Sequence, residues 1–194
     1  MVEVLRFQDH DQPTGLAPLT DTFDDWLARD HDVPAPVFLF VYPSHASTDP
    51  HRARWSVAWP VGGRTPAQML AWRHVHADAY ENEAGLETDP ARFVFAGAVT
   101  KTAGPGTVRA KRFLLGHLSL ADRRKIERLA GETPVMPLDE ARPDDLDGQG
   151  WIRDLLDRMV AAAIVSSEAR EHAVQQASTA FLEPHSPLIL SLCE

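Results

Sequence analysis

The sequence predicts an α+β domain, an antiparallel β-sheet with helices packed against it. Three observations lead there. Short apolar runs bounded by proline and glycine alternate with amphipathic stretches of helical length. The 44% hydrophobic and 24% charged content is that of a globular chain. The length of 194 residues is most simply one core. We expect a single domain over 1–194, its core at about 36–165 and a C-terminal helix and docking tail at 166–194.

Val2 to Phe7 alternates apolar and polar residues as a strand does, and a loop with Pro13 and Gly15 follows. Thr20 or Asp21 caps a short helix with Phe23, Trp26 and Leu27 on its apolar face. PVFLFVY, Pro36 to Tyr42, is short, apolar and bounded by prolines, which predicts a central strand buried on both faces. After a polar loop, Ser44 to His51, the run RWSVAWPV sets Trp55, Val57 and Trp59 on one face of a second strand. Thr65 before Pro66 predicts a short helix through Met69 and Leu70 to about Trp72. Arg92 to Val99 and Thr107 to Leu118 read as a hairpin joined by a turn at Gly104, Pro105 and Gly106.

Ser119 with Asp122 three residues on resembles a capping box for a helix from Leu120 to Ala130, closed by Gly131. An acidic, proline-containing loop, Pro134 to Asp147, leads to a helix near Gly148. Its stripe of Trp151, Ile152, Leu155, Leu156, Met159 and Val160 is broad enough to enter a core. Ser166 or Ser167 caps a last helix, Glu168 to about Leu182. The tail after it carries Leu188, Ile189, Leu190 and Leu192, which favour docking on the domain or on a second copy.

Composition excludes several partners. A formal charge of −9 with scattered basic residues repels a phosphate backbone, so nucleic acid is not expected. The first residues lack the basic start and apolar run of a secretory signal. No apolar run reaches the roughly 18 residues needed to span a bilayer, so a cytoplasmic chain without a membrane span is expected. The one cysteine, Cys193, provides neither a disulfide nor a cysteine-based zinc cage.

The densest polar cluster is RHVHADAYENE, where His74, His76, Asp78 and Tyr80 recur at period two and would line one face of an extended segment. His-x-His-x-Asp also begins some metallohydrolase zinc sites, although Ala79 follows Asp78 where another ligand would be needed. Ser44, His45, Ser47 and Asp49 carry no nucleophile elbow. The helix near Gly148 is more telling, because a helix N-terminus gathers unpaired N–H groups that would stabilise a thiolate.

The order RWSVAWP, RHVHAD, KRFLLGHLSLADRRKIERLAGETPV and DGQGWIRDLLDRMVAAAIV resembles a family of small, largely uncharacterised fungal proteins. Those proteins pair His with Trp in the first block and show Asn-Cys-Gln-x-Trp-Val in the last. Their pattern is in turn similar to the permuted papain-like fold of the NlpC/P60 and lecithin:retinol acyltransferase group. The resemblance covers roughly Val37 to Val165 and implies that fold. It also places the family cysteine on Gly148, its asparagine on Asp147 and its histidine on Arg54, so this chain lacks the nucleophile and base of covalent acyl transfer.

The reading that follows is a pocket without a nucleophile. Arg54, His74, His76 and Asp147 would supply charge and acid–base groups, while Trp55, Trp59, Tyr80, Gly148, Gln149 and Trp151 would form walls and helix donors. Such a site needs no cofactor and no metal. It suits cyclisation or isomerisation, including pericyclic reactions, of a small apolar natural product. Two other classes fit the same residues: a non-catalytic binding protein, which could pair with a second copy through its tail, and a metal-dependent hydrolase using His74, His76 and Asp78. The three tryptophans also read simply as core, and Asp147 as a helix cap.

Overall fold

The structure is a computed structural model, and it describes residues 23–43, 53–69, 71–80, 92–95, 97–102, 105–134 and 148–181. A five-stranded antiparallel sheet organises them. In chain order its strands are β1 (Ala35–Tyr42), β2 (Arg54–Val61), β3 (Ala71–Val75), β6 (Val99–Thr102) and β7 (Lys111–Leu118), and they lie side by side as β6-β3-β2-β1-β7. A two-stranded sheet joins β4 (Asp78–Tyr80) to β5 (Arg92–Val94). The helices are α1 (Phe23–Ala28), α2 (Pro105–Arg109), α3 (Leu120–Glu132), α4 (Gln149–Ala161) and α5 (Ser167–Ser178).

Period-two burial places Val37, Leu39 and Val41 of β1 and Trp55, Val57, Trp59 and Val61 of β2 on one face. Against that face pack Ile126 and Ala130 of α3, Ala173 and Ala177 of α5, and the α4 stripe expected from the sequence. Ile152, Leu155, Leu156 and Met159 are fully buried there, each worth about 1.5–3 kcal/mol of transfer free energy. The α+β class and the Trp55-Val57-Trp59 face are therefore as the sequence predicts.

A buried ionic hub fixes the approach to β1. Arg123 of α3 has no exposed surface, and its guanidinium donates to both Asp30 oxygens and to the carbonyls of His31, Val33 and Leu118. The Trp59 indole N–H also donates to Asp30, at 2.9 Å. A buried guanidinium is tolerated because its donors are all occupied. Beside the hub, Gly62 takes φ +86°, and a Cβ there would lie 2.5 Å from the Leu27 carbonyl oxygen. Its own N–H donates to the Arg29 carbonyl at 2.7 Å, so only glycine lets this turn close on the segment after α1.

Several expectations are corrected. Thr65 to Trp72 is not a helix. A single turn closes between Gln68 N–H and the Thr65 carbonyl, and Trp72 belongs to β3, where it pairs with Pro60 and Lys101. Sheet pairing overrides the local Thr-Pro signal. The expected hairpin does not form either. Its first segment divides between β5, which pairs with β4, and β6, which pairs with β3, while β7 pairs with β1. Pro105 and Gly106 open α2 instead of a hairpin turn. The strand PVFLFVY is second from one side of the sheet, and β2 holds the centre.

Helix α3 runs through Gly131 to Glu132 and is closed by Thr133, whose hydroxyl donates to the Leu129 carbonyl. Helix α5 is capped by Ser166 and ends at Ser178, short of Leu182. The expected strand at Val2 to Phe7, the caps at Thr20 and Asp21, the loop from Ser44 to His51, Asp147, and the tail from Leu188 to Cys193 lie outside the described residues. No helix among the described residues is long and apolar enough to cross a membrane.

Candidate functional site

Strand side chains alternate, so the sheet has two faces, and the expected site residues divide between them. On the helix side the expected cleft is occupied by packing. Trp59 has no exposed surface, and Trp55 is buried with the Arg153 guanidinium stacked 4.7 Å from its ring. Trp151 stacks on Phe95 at 5.2 Å and donates from Nε1 to the Thr133 carbonyl. Gln149 is spent on structure as well, donating from Nε2 to the Ala53 carbonyl at 2.7 Å. Gly148 is the N-cap of α4 with φ +71°, a left-handed conformation that explains the glycine. The cap is thus Gly148 rather than Asp147.

Arg54 and His74 project from the other face, away from α4. Register shows this: Arg54 stands opposite Tyr42, and His74 opposite Ala58. The run from His74 to Tyr80 is broken after Val75, so His74 lies in β3 of the large sheet while Asp78 and Tyr80 lie in the small one. The four-residue face expected from period two is therefore divided between two sheets. The side chains of Asp78 and Tyr80 lie outside what the structure describes. Among the described residues, no group of three or more His, Cys, Asp or Glu side chains could hold a metal ion.

What the second face does assemble is a compact aromatic and hydroxyl cluster around His74. The Ser56 hydroxyl lies 3.2 Å and the Tyr42 hydroxyl 3.4 Å from His74 Nδ1. Phe40 meets the imidazole edge-on at 5.5 Å and Trp72 at 4.9 Å. The Arg112 guanidinium stacks over Phe40 and Trp72 at 5.2 and 5.0 Å, and donates to the Thr107 carbonyl. Strand pairing brings these groups together: Ser56 faces Phe40, Phe40 faces Arg112, and Trp72 faces Lys101.

Electrostatics keep the cluster neutral. Burial drives the His74 pKa down from 6.5 to about 3, helped by the positive charge of Lys101 and by His76. Burial likewise raises the Tyr42 pKa to about 12, against the opposing effects of the Ser56 hydrogen bond and the Arg112 charge. Both hydroxyls lie within hydrogen-bonding distance of Nδ1, and each can donate to it or accept from it according to the tautomer of the ring. His74 is only 2% exposed, yet Nε2 has no hydrogen-bond partner. An unmade buried hydrogen bond costs about 1–3 kcal/mol, a cost that Trp55 Nε1 on the opposite face also carries.

Tyr42 and Trp72 are half-buried and Arg112 is exposed, so the cluster meets solvent at these residues. An open groove of about 780 Å³ between β7 and α5 is lined by Arg112 as well, together with Leu114, Glu168 and His172. That groove holds no unpartnered buried side-chain atom comparable with His74 Nε2.

Of the residues on this face, the sequence singled out His74 and Arg54 and gave no notice of Tyr42, Ser56, Lys101 and Arg112. One signal was present: Phe38, Phe40 and Tyr42 form a period-two aromatic stripe, opposite in phase to Val37, Leu39 and Val41. Compared with protein-family models, curated proteins and solved structures, the chain matches none.

Proposed function

We propose that the chain is a cofactor-independent enzyme that cyclises or isomerises a small apolar molecule by hydrogen-bond activation of its carbonyl group. The observation that carries the proposal is the buried Nε2 of His74, which has no hydrogen-bond partner and which we read as protonated. A neutral imidazole held by Ser56 and Tyr42 offers a fixed donor in a site of low polarity, where one well-placed donor to developing oxyanion charge is worth about 3 kcal/mol. The half-buried rings of Trp72 and Tyr42, backed by the buried Phe40, would hold an apolar body in a reactive conformation, a contribution that adds to the donor's.

The pKa directions narrow the mechanism. A histidine that titrates at about 3 and a tyrosine at about 12 both stay neutral near pH 7, so each suits donation to oxygen better than full proton transfer. Electrocyclic and cycloaddition steps, which need polarisation and folding but no base, fit best. The same directions favour, as a second reading, a binding protein that holds such a molecule without converting it. We also read the frame as a degenerate relative of the permuted papain-like group. The seat of the α4 N-terminus against the start of β2, through Gln149 and Ala53, supports that reading, and the position of Arg54 and His74 on the opposite face of the sheet counts against it.

Isomerisation and cyclisation conserve mass, which gives a test without a known substrate. Lipophilic extracts incubated with the protein should show pairs of equal-mass compounds interconverting, and His74→Phe should abolish the conversion. Compounds retained by the protein without conversion would favour the binding reading. Equal-mass conversion that persists in His74→Phe would remove His74 from the reaction.

A further inference from the structure

Strand β7 is the outer strand of the large sheet. Its inner side pairs with β1 from Lys111 to Leu118, and among the described residues no strand pairs with its outer side. At eight residues it is a long edge, with alternate N–H and C=O groups directed away from β1. The opposite edge, β6, has four residues and carries Lys101, a charge that blunts strand addition. Past its basic start, Lys111 and Arg112, β7 continues without charge as FLLGHL, and Leu114 is 48% exposed.

Helix α5 runs beside that edge, and between them lies the groove of about 780 Å³. Its lining joins Phe113 and Leu114 of β7 to Ala169 of α5, with Arg112 on one side and Glu168 and Glu171 on the other. Mixed charge of this kind favours no ion of either sign. It admits an uncharged extended segment, whose backbone would complete the β7 ladder while its side chains enter the groove.

The chain itself supplies such a segment. Phe181, just past α5, lies under the Lys111 ammonium at 5.0 Å, so the chain leaves the described residues beside the first residue of β7. The step from Phe181 to Leu188 spans up to about 23 Å at roughly 3.3 Å per residue, which matches β7 from Lys111 to Leu118. Leu188 therefore reaches the far end of β7, and LILSLC, Leu188 to Cys193, free of charge and of proline, can return antiparallel to it. Pro184 and Pro187 fall in the connection, where a missing N–H costs no ladder bond. The other strand expected outside the described residues, Val2 to Phe7, carries Glu3 and Arg6. It joins the described chain at α1, which packs on β3, with β2 and β1 between that strand and β7. We infer that Leu188 to Cys193 adds to the outer edge of β7 in the same chain, as a sixth strand that fills the groove against α5. So short a tether gives the segment an effective concentration of roughly millimolar, above that of a second copy at working dilution.

Cys193 is the sole cysteine, so the full chain takes a single nitroxide label there, and the broadening of amide resonances maps what surrounds it. Running back from Leu118, the segment brings Cys193 beside Phe113. The amides of Arg112 to Leu114 and those of Ala169 and His172 on α5 should therefore broaden, while those of β3 and β6 stay sharp. The pattern should survive dilution and vanish when labelled chains are mixed with unlabelled, isotope-enriched ones. Proline cannot sit within the added strand, so in Leu190→Pro the broadening should fade. The outward amides of β7 should then exchange about tenfold or more faster, the worth of one hydrogen bond, with exchange in β2 unchanged. If Leu190→Pro does not fold, the labelled parent still decides. Sharp β7 amides in that parent, or β7 exchange indifferent to Leu190→Pro in a folded variant, overturns the inference. So does broadening confined to the mixed sample, which assigns the edge to a second copy's tail.

Discussion

Acid should destabilise this protein through one imidazole, and the size of the effect can be worked out. His74 titrates near 6.5 in an unfolded chain but is held down to about 3 by burial in the fold. Between those values the unfolded state binds a proton that the folded state refuses, so stability is intact above pH 6.5 and is lost as the pH falls toward 3. From pH 7 to pH 5 the loss is about 2 kcal/mol, and the full span approaches about 5 kcal/mol, at 1.36 kcal/mol for each pKa unit. Urea unfolding of wild type and His74→Gln at both pH values isolates the term, because other titrating groups cancel in the comparison. The wild type should lose about 2 kcal/mol more than the variant over that interval. Identical pH slopes, or a His74 ring resonance with its midpoint near 6.5, would refute the burial argument and with it the neutral-donor mechanism.

Replacing Arg123 with Met strands the Asp30 carboxylate and removes donors from three carbonyls. Thermal denaturation should show a loss of about 3–5 kcal/mol, or roughly 6–20 °C for a domain of this size, whereas a loss below about 1 kcal/mol would contradict the hub. Gly62→Ala adds a Cβ 2.5 Å from the Leu27 carbonyl oxygen at a positive φ, and should lower the urea midpoint by the equivalent of about 2 kcal/mol or more. At the start of α4, Gly148→Ala carries at least the left-handed backbone cost, about 1–2 kcal/mol by the same measurement.

The fold was legible where burial is one-sided and local. The alternation Trp55, Val57, Trp59 and the helical stripe from Trp151 to Met159 each declare which face meets the core, and both were read correctly. Pairing partners were not legible. Arg92 to Leu118 looked like a neighbouring hairpin because nothing in that segment states that β7 adds to β1, far back in the chain. Thr65-Pro66 is a sound helix start in isolation, and it lost to a ladder between β3 and its two neighbours. The site failed to show itself for the same reason. His74 stood out by type, but Ser56 and Tyr42 become its partners only once three strands are in register. The tryptophans were conspicuous by size and proved to be core and hub.

The Asp30–Arg123 contact joins residues 93 positions apart, and this sets an order of events on the ribosome. At about 5–20 residues per second, Asp30 is made some 5–20 s before its guanidinium partner. Once β3 has emerged, the β1-β2-β3 meander can exist as a nascent unit before Arg123 reaches Asp30. Closure of the native structure therefore waits on the arrival of α3, and a translational pause placed before residue 123 prolongs the time during which the growing chain needs shielding from its neighbours.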